Sequence, residues 1–147
     1  MFSVKADLYI NFVTCKGGSS STTKIFKEKF PENHKEYNNT IKNELFVPGE
    51  TLSFQDDSGV VISNVFYKRH WKNTPFSGAL MLALSNLAKD ILRSKDFFLN
   101  VKTIAVPNIS DEYDEASADE VAECFTHFKE LLKKKEINVF LSNNFKT

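Results

Sequence analysis

One stretch constrains this chain more than any other: Asp7–Phe30, DLYINFVTCKGGSSSTTKIFKEKF. It opens with Leu8, Ile10 and Phe12 on one face and Tyr9, Asn11 and Val13 on the other, the period of two of a β-strand. Lys16–Thr23 then supplies two glycines and five hydroxyl side chains. Ile25, Phe26, Lys29 and Phe30 follow at helical spacing, with N-caps available from Ser19 to Thr23 and a stop at Pro31. A buried strand that feeds a helix through a small-residue loop is the basic unit of an α/β fold. Ligands in such folds bind beyond the carboxyl ends of the strands. The loop is therefore the first candidate for holding a phosphate.

Downstream residues extend the pattern. Glu32–Asn43 reads as a second helix, with Tyr37 and Ile41 four apart on one face. Thr51–Gln55 and Val60–Tyr67 read as an antiparallel hairpin around Asp56-Asp57-Ser58-Gly59. Thr74 suits an N-cap and Pro75 a first helical position, ahead of an apolar stripe running from Phe76 and Leu80 through Ala83, Leu84 and Leu87 to Ile91 and Leu92. Val101–Val106 is the next strand, closed by Pro107. After the acidic loop Asn108–Ala116, Ser117 and Glu120 form a capping-box pattern. The helix behind them carries Val121, Cys124, Phe125, Phe128, Leu131 and Leu132 on one face. Ile137–Ser142 is a final strand. This order predicts a three-layer α/β fold, with a mixed sheet between helices. Right-handed crossovers would bring the Cys15–Thr23 and Asn108–Ala116 loops to one edge if their strands run parallel.

At 147 residues the chain is expected to form a single domain, 1–147. Its formal net charge of zero supplies no general attraction to nucleic acid or to an anionic membrane. No apolar run reaches membrane-spanning length and no signal peptide opens the chain, so the expected setting is the cytoplasm. Cys15 and Cys124 are isolated and read as reduced thiols. His34 and His127 lack spaced ligand partners, so neither a metal nor a cofactor is expected.

The same residues resemble those of the macro domains, small α/β modules known for binding ADP-ribose. Asp7–Thr14 resembles the family's first core strand, and Gly17–Pro31 its glycine-rich first loop running into a helix that ends in Phe-Pro. Tyr37 matches a tyrosine common shortly afterwards. Thr103–Ile109 is similar to the strand-plus-proline segment that leads to the second phosphate loop. The likeness is nearest to the branch containing yeast ADP-ribose-1''-phosphatase and the human terminal ADP-ribose glycohydrolase, and extends to small macro-like proteins of T-even bacteriophages. It implies a divergent member. The family's adenine-binding aspartate has no counterpart in Met1–Ala6, and Thr14 stands for its asparagine. Ser19–Thr23 replace loop-one glycines, and Ser110 and Glu112 replace loop-two glycines.

The resemblance implies ligand contacts from Thr14, Gly17, Gly18, Ser19, Ser20, Ser21, Thr22, Asn108 and Ser110. In the glycohydrolase branch a lysine attacks the ribose and a loop-two aspartate assists, which places Lys68 and Asp114 as the catalytic pair. The expectation is nevertheless a binding module rather than an enzyme. Asp111, Glu112, Asp114 and Glu115 give loop two a charge that opposes a diphosphate, so the ligand would be held weakly or with altered selectivity. That acidic loop is also a candidate contact for a protein partner, the reading in which the fold has lost its ligand and serves as a phage–host interaction factor. Lys68-Arg69-His70-Trp71-Lys72 mixes cations and aromatics that could stack on a base and pair with phosphates, or could equally be a surface loop.

Overall fold

The computed structural model describes residues 5–17, 21–70, 72–93 and 96–142. Five strands, β1 (Leu8–Thr14), β2 (Thr51–Gln55), β3 (Val61–Lys68), β4 (Thr103–Pro107) and β5 (Asn138–Ser142), form one sheet in the order β2-β3-β1-β4-β5. Among the described residues β1 lies parallel to both β3 and β4, β4 lies parallel to β5, and the edge pair β2–β3 alone is antiparallel. The helices are α1 (Ser21–Lys29), α2 (Pro31–Asn43), α3 (Ser77–Leu92) and α4 (Ala118–Lys133).

Connection handedness explains the layers. The chain leaves β1 in one direction through α1 and α2 and returns in the other through α3 and α4. Right-handed crossovers then place the two helix pairs on opposite faces. Side chains follow suit. Leu8, Ile10 and Phe12 pack with α3 and α4, while Tyr9 and Val13 meet α1 and α2 through Phe26, Phe30 and Tyr37. Every residue of β1 is buried, as a central parallel strand covered on both faces requires.

One polar cluster interrupts the α1–α2 face. Asn64 Oδ1 accepts from Asn11 Nδ2 at 3.0 Å and from Asn33 Nδ2 at 3.1 Å. Asn64 Nδ2 donates to Asn33 Oδ1 at 2.8 Å and to the Leu52 carbonyl at 3.0 Å. The cluster ties β1, β2, β3 and α2 together.

Two helix starts differ from the sequence expectation. α3 begins at Ser77, not at Thr74-Pro75; Phe76 takes the N-cap position in extended backbone with no side-chain cap, and its ring is 74% exposed rather than part of the buried stripe. The capping box at Ser117 is not made either. Glu120 instead accepts from Ser77 Oγ at 2.8 Å, linking α4 to α3, and the Cys124 thiol donates to the Ser77 carbonyl. A tertiary partner outcompetes the local cap in the second case. Strand ends also shift by one or two residues, which leaves the topology unchanged.

Candidate functional site

Because β1, β3, β4 and β5 run parallel, their carboxyl ends meet at one edge. β1 ends in a turn held by its own residues and by partners from α2 and β3. Tyr37 OH donates to the Thr14 carbonyl at 2.7 Å, Thr14 Oγ1 donates to the Gly17 carbonyl, and the Cys15 amide donates to the Lys68 carbonyl at 3.2 Å. Gly17 has φ +80°, a conformation that disfavours a side chain. Burial raises the Cys15 thiol above its ordinary range, with the Arg69 guanidinium pulling the other way.

Loop two is fastened at both ends by side chains in the core, Ile109 and Tyr113. Between them the backbone makes a 3₁₀ turn, Ser110–Glu112. The Ser110 amide donates to Asn108 Oδ1 at 3.0 Å, the Glu112 amide to the Ile109 carbonyl at 3.0 Å, and the Tyr113 amide to the Ser110 carbonyl at 3.2 Å. Three amides that a phosphate could otherwise use are thus satisfied within the loop.

The two loops meet at the end of β3. Tyr67 OH donates to Glu112 Oε1 at 2.5 Å, and Lys68 Nζ lies 3.4 Å from the same oxygen and 5.2 Å from the centre of the Tyr67 ring. The Lys68 side chain is only 10% exposed. Burial, reinforced by the Glu112 carboxylate, pushes the Tyr67 phenol far above its ordinary value. Tyr113 is raised in the same way, with burial again the leading cause.

Two clefts flank this cluster and share Arg69. One, of about 590 Å³, runs between the end of β3 and the start of α3, lined by Pro48, Tyr67, Lys68, Phe76 and Leu82 among others. The other, of about 370 Å³, lies between the Cys15–Gly17 turn, α2 and the segment Glu44–Val47. A third and smaller groove, about 240 Å³, sits beneath Ser110 between β4, β5 and α4.

No protein-family model matches the chain, and no curated protein matches it by sequence. Solved structures do match. The macrodomain of Mycobacterium tuberculosis DarG superposes with a TM-score of 0.78 at 17% identity, over 95% of this chain and 90% of that one. The macrodomain of Thermus aquaticus DarG gives 0.75 at 19% identity, with the same coverage. The fold is that of a macrodomain. Thermosipho africanus DarTG in complex with ADP-ribose also matches, with a TM-score of 0.66 at 16% identity, over 93% of this chain and 38% of that longer one.

Within this macrodomain fold the sequence-derived site residues fall as follows. Thr14 and Gly17 sit at the β1 edge but are bonded to each other. Gly18, Ser19 and Ser20 lie outside the described residues, and of Ser21, Thr22 and Asp111 only the backbone is described. Asn108 Oδ1 is engaged by Ser110, which donates to it from both its amide and its hydroxyl. Asp114 is exposed, and the carboxylate that reaches Lys68 belongs to Glu112. Among the described residues no group of three or more His, Cys, Asp or Glu side chains could hold a metal, and no helix is long and apolar enough to cross a membrane. Sequence reading missed the Tyr67–Glu112 contact. Its one available signal was Tyr67 facing the α3–α4 side at the end of a buried strand.

Proposed function

We propose that this protein binds an ADP-ribose-related nucleotide at the carboxyl edge of its sheet, weakly or with altered selectivity. The observation that carries this reading is the juxtaposition of the Cys15–Gly17 turn and the Ser110–Glu112 turn at the ends of neighbouring parallel strands. Ligands of open parallel sheets lie in such a crevice. The match to Thermosipho africanus DarTG, whose structure is a complex with ADP-ribose, supports the choice of ligand class. The altered selectivity follows from loop two, whose amides are largely self-satisfied and whose Glu112 carboxylate sits at the end of β3 beside Lys68. Calorimetric titration with ADP-ribose tests the reading. Heat that saturates at up to millimolar ligand is expected; no heat and no thermal shift with ADP-ribose or other nucleotides overturns it.

A second reading is favoured by the Lys68–Glu112 contact. Lys68 is nearly buried beside a carboxylate, the arrangement that lets an amine act as a nucleophile with acid–base help. The chain would then be a glycohydrolase in which Lys68 Nζ attacks the anomeric carbon of the ribose and breaks its bond to the modified group. Glu112, or Asp114 after loop movement, passes the proton lost by the amine to that leaving group, and water then hydrolyses the lysine adduct to free ADP-ribose. Loss of deADP-ribosylation on Lys68→Ala, with ADP-ribose binding retained, is its expected signature. If no nucleotide binds, the remaining reading is a phage factor acting in the host cytoplasm, where the acidic loop Asp111, Glu112, Asp114 and Glu115 engages a protein. Capture of one host protein by the intact chain, lost on neutralising those four residues, is the corresponding result.

A further inference from the structure

The larger cleft, between the end of β3 and the start of α3, is not needed for a ligand lying across the ends of β1 and β4, yet it is a built site. Its Pro48 wall is fixed to β3, because the Gly49 amide donates to the Phe66 carbonyl at 2.8 Å and the Phe66 amide donates to the Glu50 carbonyl at 3.0 Å. Leu82 of α3 packs on Gly49 so closely that a Cβ there would lie 2.8 Å from its Cδ2. The Tyr67 side is fixed by Glu112. The volume, about 590 Å³, falls within the range of small-molecule sites, roughly 300–1,000 Å³.

Phe76 is the aromatic ring that the cleft leaves most open to a ligand. It is 74% exposed, and its ring lies against its neighbour Gly78. A Cβ on Gly78 would come within 2.4 Å of the Phe76 ring, so the ring lies folded over the first turn of α3 in space that only glycine leaves open. The ring lines the cleft. Arg69 lines the same cleft and has no carboxylate within ion-pair distance among the described residues, and Lys68 stands beside it. An exposed aromatic ring in the same cleft as a guanidinium that has no carboxylate partner among the described residues suits a ligand with a planar ring at one end and an anion at the other.

We propose that this cleft is a second nucleotide subsite, in which a base stacks on Phe76 and its phosphate pairs with Arg69. The unit could come from a free mononucleotide or from a single-stranded oligonucleotide, which share this chemistry. The subsite does not rest on the ADP-ribose reading, although Tyr67 and Lys68 border both.

Amide NMR titration of the full chain with uridine 5'-monophosphate tests it, with uridine and inorganic phosphate as part-ligands. Saturable shifts at Arg69, Phe76 and Gly78 are expected, with each part-ligand binding more weakly than the whole. Gly78→Ala should leave the melting temperature unchanged or higher, because alanine is the better helix residue, yet weaken the nucleotide at least about fivefold by displacing the ring. Phe76→Ala should match that loss, and Arg69→Gln should remove the advantage of the monophosphate over uridine. A short oligouridylate that binds about tenfold more tightly than the monophosphate identifies a strand as the source; equal affinity identifies the free nucleotide. The proposal is overturned if millimolar nucleotide shifts none of these amides, or if both Phe76→Ala and Gly78→Ala bind it as the parent does. Preference for a peptide over every nucleotide would overturn it equally. ADP-ribose in a parallel titration reports on Gly17, which does not line this cleft, so the two sites succeed or fail separately.

Discussion

Tyr67 and Glu112 are joined by a 2.5 Å hydrogen bond that closes loop two onto the end of β3. The donor is a phenol buried in the core and the acceptor is a half-buried carboxylate that also meets Lys68. One oxygen therefore serves as the acceptor for a strand and the counter-charge for its terminal lysine. It also puts a negative charge at the carboxyl edge of the sheet, where the proposed ligand would bring its phosphates.

Glu112→Gln separates these roles. The amide oxygen can still accept from Tyr67, but the charge is gone. A carboxylate about 4 Å from a phosphate at an effective dielectric of about 20 opposes it by about 4 kcal/mol before solvent screening. The variant should bind ADP-ribose more tightly, by about tenfold at low salt, with the gain shrinking as salt rises. Stability should fall by about 1 kcal/mol as a charge-assisted bond becomes a neutral one. Calorimetry at two ionic strengths, with a denaturant melt, measures both. Unchanged affinity at low salt would show that the ligand does not approach this carboxylate.

Lys68 and its two possible acids can be told apart by comparison. If the amine is a nucleophile, Lys68→Ala removes turnover of an ADP-ribosylated substrate entirely. Glu112→Gln should then reduce turnover by about 10²-fold or more, the usual scale for a proton-transfer partner. Asp114→Asn should cost less, since Asp114 is exposed and contacts the next turn through its carbonyl, which accepts from the Ser117 amide at 2.9 Å. Single-turnover assays of the three variants decide the order. A larger loss in Asp114→Asn than in Glu112→Gln would return the acid role to Asp114 and require loop two to move.

Asn64 offers a test of what fixes the sheet. It accepts from two buried asparagines and donates to a third group across the strands. Asn64→Ala leaves Asn11 and Asn33 with unsatisfied buried amides and should cost about 2–4 kcal/mol in a urea melt. Asn64→Leu should do no better, because filling the space does not satisfy the partners. A loss below about 1 kcal/mol for both would mean that water replaces the bonds.

The frame of this fold was legible because it rests on periodicity. The alternation in Leu8–Thr14 and the stripe from Leu80 to Ile91 depend on nothing outside their own segments, and both packed as expected. The caps were less legible because they are decided by competition. Glu120 had a local partner in Ser117 and a tertiary one in Ser77, and only packing α3 against α4 reveals which wins. Phe76 matched a helical stripe in spacing, but α3 starts one residue later, which leaves the ring outside. The Lys68–Glu112 contact joins residues 44 positions apart, and spacing carries no signal at that range.

The tyrosines give the protein a predictable weakness in alkali. All four, Tyr9, Tyr37, Tyr67 and Tyr113, have phenols raised above their ordinary value, chiefly by burial. The folded state therefore keeps protons that the unfolded chain releases as pH rises through about 10. With more protons bound when folded, stability falls as pH climbs above that value and is intact below it. Tyr67 and Tyr113 are the most displaced, and each contributes a slope of up to about 1.4 kcal/mol per pH unit. Phenolate absorbance followed with circular dichroism should show these two ionising only together with unfolding. Tyr67→Phe removes one such proton and should make the fall shallower, while lowering stability near neutral pH by about 1–2 kcal/mol through the lost bond to Glu112. Phenolate from Tyr67 and Tyr113, identified by its loss in Tyr67→Phe and Tyr113→Phe, appearing while the fold is intact would mean that both are open to water and that loop two is not closed on β3.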